Sequence, residues 1–544
     1  MNPTLEFELT LPLILIVVLL LLVGIILQCH GVNPLRILRS SYKVPRQSHL
    51  ALESSDRERE VLLAVDRKTR IRYTGNDTIA ELAACKTLRE TEAFIHVINV
   101  HRVLNSKVKA QHFAQFCSSR LQLSRMRINT LATIILSLQK YATEPDVVIC
   151  IRNCFCAKRT MACLQLKDKV DAKFPMFDLI YHCIQSEGER EAILKHFDAE
   201  AARLQASSTY FAPIKLLCDI DDTMLAALFD TRYPELTVYP GVHQFAQELL
   251  RRSATIAANF ADRHSEYEYD DSDSDKDLEA GRTGRLKKPK DVQRVAFLTA
   301  RPELLRKRSL QELRACGFQH FTLLMGCFAN MWGSQRIALG KLRNFVRFKR
   351  IFAEHQFVFV GDNGQGDIDL GKELLTNPRL YAVSAVLIHD VIRNHTQDKP
   401  LSRHSYRGIE CSQSGIYSFR TYIGASFHLY VVGLLPLCSV IRVVEKTALA
   451  YAAIVFDTRE QKRNLAREIL TDVAAVVNEL PDQQAMALVS SLHDDLVDNG
   501  HDDELSSRFK PKKPRLTREE QLQQRLKAVK QSATKPSQTS RSDL

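Results

Sequence analysis

Two clusters of carboxylates stand out in this sequence, because each follows directly on a short apolar segment. The segment IKLLC runs into Asp219 and Asp221, and the segment FVFV runs into a glycine, Asp362 and Asp367. Carboxylates held close together repel one another, and a bound divalent cation offsets that repulsion. Since the donors are hard oxygens with no His or Cys among them, Mg²⁺ is the ion that we expect at these aspartates.

Two further residues are candidates for contact with a phosphoryl group. The apolar segment RVAFLTA leads to Thr299, whose hydroxyl and neighbouring backbone N–H could hold a phosphoryl oxygen. Lys341 precedes the second carboxylate cluster on a helix-like segment and could bring a cation to the same place. Lys349 is a rival for this role, although its spacing fits less well. Each motif alone could be a helix cap, a turn or a solvated charge, but their order favours one active site.

The elements that would position these residues follow the pattern of a parallel α/β sheet. From about Ile214 onward, short apolar segments alternate with helix-like segments. The predicted strands are IKLLCDI, RVAFLTA, FTLLMG, FVFVGDN and YAVSAVLIH. Because ligand sites of open α/β sheets form at the carboxyl ends of the strands, such a sheet would gather the motifs at one edge.

As an ordered set, these motifs resemble those of the haloacid dehalogenase superfamily of phosphotransferases. More narrowly, DIDDT, then YPGV, then GDNGQGD resemble the catalytic domain of the fungal actin-patch phosphatidate phosphatases, which are distant relatives of the lipins. The resemblance covers roughly residues 210 to 395. It implies a Rossmann-like parallel sheet, a Mg²⁺ cofactor and the hydrolysis of phosphatidate to diacylglycerol and phosphate.

The resemblance also implies roles for the four aspartates. Asp219 would be the nucleophile that forms an aspartyl-phosphate, and Asp221 would protonate the leaving group and later deprotonate water. Mg²⁺ would be held by Asp219, the backbone carbonyl of Asp221, and Asp362. Asp367 would orient the metal shell or the lysine.

The phosphoryl oxygens would be neutralised, on the same resemblance, by Thr299 and Lys341. Two departures from the fungal pattern occur next to the motifs. The sequence TARP begins at Thr299, where the fungal enzymes have a serine, and Ile368-Asp369-Leu370 replaces their usual Pro-Glu and Tyr. Because the hydroxyl is kept at the first place, we expect catalysis to be retained, while the two departures bear on the substrate preference.

Composition divides the chain into five parts around this catalytic region. Glycine and proline are absent from Asp77 to Glu144, which favours helices, and the apolar stretch Tyr417 to Phe456 is interrupted by charges. We expect the latter to form helices packed on the sheet, with shallow membrane contact as the alternative. The predicted parts are a transmembrane anchor (1–30), a juxtamembrane and helical region (31–205), a catalytic domain (206–400) with a disordered insertion (262–291), a C-terminal helical region (401–500) and a basic disordered tail (501–544).

The uncharged run from Leu9 to Cys29 predicts a membrane span. As a helix it would be about 31 Å long, which is the thickness of a hydrocarbon core. Four basic residues and no acid follow within 31–50, so the positive-inside rule places the catalytic domain in the cytosol. A buried core helix or an unusual cleaved signal is the alternative.

The formal net charge of +12 is concentrated in two short segments. Residues 31–50 contribute +4 and residues 508–544 contribute +8, so the rest of the chain is balanced. No base-reading or aromatic stacking module accompanies these basic runs, and we do not expect nucleic-acid binding. Both segments suit an anionic membrane surface.

The 13 cysteines show no repeated spacing and indicate a reducing compartment rather than a secreted disulfide framework. Four of them lie close together in sequence, at Cys150, Cys154, Cys156 and Cys163. Their spacing fits no common structural zinc site, so we expect reduced, half-buried helix cysteines there.

Together these features predict a single-pass membrane protein with a cytosolic, Mg²⁺-dependent phosphatidate phosphatase domain. Two alternatives stay open. The same fold could act on a phosphoprotein or a soluble phosphate ester, or the protein could be a non-catalytic lipid-binding scaffold. Its protein partners are not predicted by the sequence.

Overall fold

A computed structural model describes most of the chain between residues 75 and 488. The predicted anchor Leu9 to Cys29, the insertion from residue 265 onward and the basic tail lie outside the described residues. Within the described ranges, no helix is both long enough and apolar enough to cross a membrane. The described ranges are 75–85, 87–97, 104–264, 294–327, 333–364, 366–392, 415–481, 483–485 and 487–488.

The described residues between 75 and 205 lie mostly in helices, as the sequence predicted for this region. The N-cap residues Ser106 and Ser186 each accept a hydrogen bond from the backbone three residues later, and Pro145 begins a helix where its missing N–H costs nothing. The helices are α1 Gly75–Ala84, α2 Leu88–Val97, α3 Lys107–Arg120, α4 Ile128–Leu138, α5 Pro145–Cys156, α6 Thr160–Lys173 and α7 Glu187–Gln205.

A six-stranded, all-parallel sheet follows, which confirms the predicted α/β class. Its strands are β1 Ile214–Cys218, β2 Val295–Pro302, β3 Phe321–Gly326, β4 Gln356–Asp362, β5 Val383–His389 and β6 Ile416–Phe419, in the order β3-β2-β1-β4-β5-β6. The five predicted strands are therefore confirmed. The sixth was missed, because the sequence assigned the stretch from Tyr417 onward to helices.

Seven further helices flank the strands or follow them. They are α8 Val242–His264, α9 Arg306–Ala315, α10 Ser334–Ile351, α11 Asp367–Thr376, α12 Tyr422–Val431, α13 Leu437–Ala452 and α14 Arg459–Val477, and a short helical turn spans Pro378–Tyr381. Helix α8 continues to His264, so the predicted start of the insertion at residue 262 is too early.

Alternate residues of each strand face opposite sides of the sheet, and both sides are covered. On one side, α10 and α11 share a continuous apolar core with the helical region 75–205. On the other side, α8 packs against α12 and α13. In α12 the side chains from Tyr422 to Leu429 are all buried against protein, which confirms that this apolar stretch packs in the fold.

The helical region is joined to the sheet by buried charges as well as by apolar contacts. Lys167 of α6 donates to Glu354 at 2.6 Å and to the carbonyl of Ile351 at 2.9 Å. Lys215 of β1 pairs with Asp171 of α6 at 3.4 Å. Buried pairs of this kind are costly to break, because either partner alone is an uncompensated charge. The described residues up to Val476 belong to one compact unit, and the few described residues from Val477 onward belong to a second.

Candidate active site

The predicted motifs meet at the carboxyl edge of the sheet. Asp219 directly follows β1, Thr299 lies in β2, and Asp362 ends β4. Strand β1 pairs with both β2 and β4, so these three residues come to the same edge. Lys341 lies on α10 and Asp367 begins α11, the helices that follow β3 and β4. The described structure thus brings together residues that the sequence grouped by order alone.

Asp219, Asp362 and Asp367 form a buried group whose carboxylate oxygens lie within 4.8 Å of one another. Within the described part of the chain, Asp362 Oδ2 is buried without a hydrogen-bond partner. Converging carboxylates with an unsatisfied oxygen have the donor chemistry of a site for a hard divalent cation. These three aspartates could therefore hold a metal ion.

Gly361 is what allows two of these carboxylates to come so close. A Cβ atom at this position would lie 2.5 Å from Asp367 Oδ2, which is far inside van der Waals contact. The backbone N–H of Asp362 donates to the same oxygen at 3.3 Å. The glycine between the apolar strand and the carboxylates therefore permits the close approach of α11 to the end of β4.

Lys341 supplies the positive charge of this site. Its Nζ lies 2.5 Å from Asp367 Oδ1 and 3.0 Å from Asp219 Oδ1, and the side chain is fully buried. The rival Lys349 is only half-buried on the same helix, and the charges that act on it are those of Asp198 and Glu354. The structure thus places Lys341, and not Lys349, among the aspartates.

The electrostatics of the site favour a bound cation. Burial raises the pKa of Asp219 to about 7, although Lys341 acts in the opposite direction. Burial and the neighbouring carboxylates hold the pKa of Asp362 well above its usual range, and burial also raises the pKa of Asp367. One lysine therefore does not compensate three buried carboxylates, and a divalent cation would favour their ionised forms.

Asp221 has a different partner from the other aspartates. Its Oδ1 accepts from Arg301 Nη2 at 2.6 Å and its Oδ2 accepts from Arg301 Nε at 2.9 Å. Burial would raise the pKa of Asp221, but the guanidinium outweighs it and holds this pKa below its usual range. The carboxylate of Asp221, one of the four predicted metal ligands, thus lies outside the metal group. The sequence had predicted that Asp221 binds the metal ion through its backbone carbonyl and not through this carboxylate.

Arg301 is fixed at the end of β2 by several contacts. Its guanidinium also donates to Glu312 at 2.5 Å and to Ser309 at 3.1 Å, both on α9. Its backbone N–H donates to Thr299 Oγ1 at 3.1 Å. The buried Thr299 hydroxyl therefore accepts one hydrogen bond and keeps its own hydrogen for another acceptor.

The loop after β1 is held by the carboxylate of Asp222, which accepts hydrogen bonds from four successive backbone N–H groups. They belong to Ala227, Leu228, Phe229 and Asp230, at distances from 2.7 to 3.3 Å. Asp222 itself has a left-handed backbone, with φ of 55°. Asp222 therefore shapes the turn that follows β1.

His389 at the end of β5 fixes the same turn from the other side. Its Nδ1 lies 2.8 Å from the carbonyl of Asp222, and its Nε2 lies 2.9 Å from Arg232 Nη2. A carbonyl only accepts and a guanidinium only donates, so Nδ1 carries the hydrogen and Nε2 is the acceptor. Arg232 in turn pairs with Asp230 at 2.8 Å and with Glu468 of α14 at 2.9 Å.

Sequence reasoning missed these supporting residues. Arg301 was noted only as part of a departure from the fungal pattern, and neither His389 nor Arg232 was noted at all. A signal for His389 was present, because this polar residue closes the predicted strand YAVSAVLIH at the edge where ligand sites form. Arg232 lies in a loop and offers no such signal.

The four cysteines that were considered for zinc are distributed over two helices. Cys150 and Cys154 are buried on α5, Cys163 is buried on α6, and Cys156 is exposed. Cys150 shares hydrogen bonds with Cys154 and with Cys117 of α3. Burial of the Cys163 thiol raises its pKa to about 12, so this thiol stays protonated.

No model of a protein family, no curated protein and no solved structure matches this chain. Its function is therefore inferred from the residues that the fold brings to the carboxyl edge of the sheet.

Proposed function

We propose that this chain is a Mg²⁺-dependent phosphatase of the haloacid dehalogenase type, with Asp219 as its nucleophile. The observation that carries the proposal is the setting of Asp219. Its carboxylate is buried at the carboxyl edge of the sheet, 3.0 Å from the Lys341 ammonium, in a group of three carboxylates. A phosphoryl-accepting nucleophile requires such a combination of a fixed cation and metal ligands.

Asp219 attacks the phosphorus atom of the substrate. One carboxylate oxygen bonds to phosphorus while the bond from phosphorus to the leaving oxygen breaks, and an aspartyl-phosphate forms. Lys341 favours the ionised form of Asp219 and, together with the Thr299 hydroxyl, offsets the charge on the phosphoryl oxygens. Attack by water on the aspartyl-phosphate then releases phosphate and restores the carboxylate.

The residues that would hold Mg²⁺ are Asp219, Asp362 and Asp367, with the backbone carbonyl of Asp221 as a further donor. Oxygen donors alone, without imidazole or thiolate, favour Mg²⁺ over zinc or copper. When bound, the ion supplies positive charge to the phosphoryl group and to the crowded carboxylates.

Asp221 moves the protons in both steps. It donates a proton to the leaving oxygen in the first step and accepts one from the attacking water in the second. Its pairing with Arg301 favours the carboxylate, which is the form that the second step needs. The first step therefore requires that substrate binding weakens this ion pair.

Phosphatidate in a membrane is the proposed substrate, and the chain would be a single-pass membrane protein with its catalytic unit in the cytosol. The motif resemblance, the uncharged run from Leu9 to Cys29 and the basic segment 31–50 next to it support this choice. An enzyme held at the bilayer has a high effective concentration toward a lipid substrate. A phosphoprotein or a soluble phosphate ester is the alternative for the same site.

The test is phosphate release by the purified full chain, with and without Mg²⁺, from phosphatidate, a phosphopeptide and a sugar phosphate. We expect Mg²⁺-dependent release from phosphatidate that Asp219→Asn abolishes. Asp369→Asn, on the same helix as Asp367 but outside the carboxylate group, is the matched control and should retain activity. Full activity of Asp219→Asn would rule out the mechanism, and no release from any substrate would favour the scaffold.

A further inference from the structure

Helix α10 has a second face, opposite the one that carries Lys341, and this face is basic. The helix contains six basic residues and no acidic one. Its exposed residues recur at intervals of three and four, so they form one stripe along the helix. We call this stripe the α10 face; it consists of Arg336, Leu339, Arg343, Val346 and Arg347.

The α10 face adjoins the edge of the sheet that carries the active site. A cavity of about 610 Å³ lies between Arg343 and Arg347 of α10 and the residues that end β3, Met325 and Gly326. Glu303 and Arg306, which follow β2, complete this part of its lining. The cavity is therefore lined by the carboxyl end of β3 and by the segment that follows β2.

The positive charge of the α10 face is only partly neutralised. Within the described part of the chain, no ion pair joins Arg336 or Arg343 to an acidic side chain. Arg347 lies over the ring of Tyr181, at 5.1 Å from its centroid. On the far side of the active site, a cavity of about 720 Å³ is lined by two acidic residues, Asp390 and Glu460, and by Arg232 among neutral residues.

Large aliphatic side chains are exposed on this side together with the arginines. Leu339 and Val346 of the α10 face are 59% and 39% exposed, and Leu304, next to the cavity lining, is 79% exposed. A site for a small soluble anion needs no such side chains. Arginines interspersed with exposed aliphatic residues instead match the interface of an anionic membrane, where charged headgroups lie next to hydrocarbon.

We propose that the α10 face docks on a bilayer that contains anionic phospholipid. This rests on the proposed function, since it describes how an enzyme for a membrane lipid would meet its substrate. The arginines contact headgroup phosphates, and Leu339 and Val346 enter the interfacial layer. Because Lys341 projects from the opposite face of the same rigid helix, docking fixes the position of the active-site edge relative to the membrane.

The experiment uses the full chain held in phosphatidylcholine nanodiscs, so that its apolar N-terminal run is already accommodated. These nanodiscs are floated with vesicles of phosphatidylcholine alone or of phosphatidylcholine and phosphatidylserine in equal parts. The test variant carries Arg336→Gln, Arg343→Gln and Arg347→Gln. The matched control carries Arg459→Gln, Arg463→Gln and Arg467→Gln, which remove the same charge from an exposed stripe of α14.

We expect the wild-type chain to float with the phosphatidylserine vesicles and not with the neutral ones. Loss of three interfacial arginines should weaken this binding about a hundredfold, whereas the α14 control should bind nearly as the wild type does. Unchanged melting temperatures will show that both variants are folded. Equal binding by the two variants would overturn the proposal, since the basic segments 31–50 and 508–544 would then suffice.

Two additional measurements separate this proposal from the proposed function and from a protein partner. Phosphate release is assayed independently, so a chain that binds phosphatidylserine vesicles through α10 but releases no phosphate would refute only the enzyme assignment. Soluble poly-glutamate is added as an acidic polypeptide. If the α10 variant loses poly-glutamate binding but keeps vesicle binding, the face serves an acidic protein and the membrane proposal is wrong.

Discussion

Both carboxylate oxygens of Asp221 are held by the guanidinium of Arg301, at 2.6 and 2.9 Å. This two-point contact fixes the orientation of the proposed acid and base as well as its charge. Arg301 thus acts on the reaction through Asp221, and it is a positioning residue.

We predict that Arg301→Gln lowers phosphate release about a hundredfold, because a displaced acid–base group loses most of its contribution. The decisive measurement is a double-mutant cycle on kcat with Asp221→Asn. If Arg301 acts only through Asp221, the double variant should be little slower than Asp221→Asn alone. Arg308→Gln, which removes another arginine bound to Glu312, is the control and should cost less than tenfold. Additive losses would show that Arg301 has a separate role.

Much of this site follows from the sequence, for physical reasons that also explain what was missed. An apolar run that ends in carboxylates predicts both a buried strand and the edge where it ends, so Asp219 and Asp362 were found together. Arg301 lies in a stretch of β2, between Leu298 and Pro302, where the register with β3 is irregular. Such an irregularity changes the direction of a side chain, and no sequence period reports it.

The missed strand β6 and the missed residue His389 have a related explanation. Ile416–Phe419 has only four residues, too few to distinguish a period of two from a period of 3.6. It becomes a strand because β5 is present as a partner, with His389 opposite Phe419. The role of His389 likewise depends on contacts with Asp222 and Arg232, which are more than 150 residues away along the chain.

Metal binding should stabilise the fold, because it relieves the repulsion among Asp219, Asp362 and Asp367. At a hundredfold excess of Mg²⁺ over its dissociation constant we expect about 2.7 kcal/mol of added stability. Thermal melting with Mg²⁺ and with EDTA measures this difference. Asp362→Asn should abolish it, while Asp369→Asn should keep it. A Mg²⁺-induced shift that persists in Asp362→Asn would place the ion elsewhere.

Replacing Lys341 should be far more damaging than replacing Lys349 on the same helix. Lys341→Met leaves buried carboxylates without their cation, and we expect a loss of about 3–5 kcal/mol in the free energy of unfolding without metal. Part of this loss should return with Mg²⁺, since the ion compensates the same charges. Lys349→Met, at a half-buried position away from the aspartates, should cost less than about 1 kcal/mol. Urea unfolding compares the two variants, and equal losses would contradict the arrangement described here.

His389 should make the fold sensitive to acid. Burial, reinforced by Arg232, lowers the pKa of His389 from 6.5 to about 4. Above pH 6.5 the lowered pKa does not change the free energy of unfolding, because the imidazole is neutral in the folded and in the unfolded chain. As the pH falls toward 4, the unfolded chain binds a proton that the folded chain excludes, so the free energy of unfolding decreases. Between these values the wild type should lose about 3 kcal/mol relative to a variant that cannot titrate at this position.

His389→Asn is that variant, because its amide can still donate to the carbonyl of Asp222. Its free energy of unfolding should be lower than that of the wild type at pH 7 and should change less between pH 7 and 4. His182→Asn, which replaces an exposed histidine paired with Asp178, is the control and should keep the acid sensitivity of the wild type. If His389→Asn loses stability toward acid as steeply as the wild type, the neutral His389 is not the group responsible.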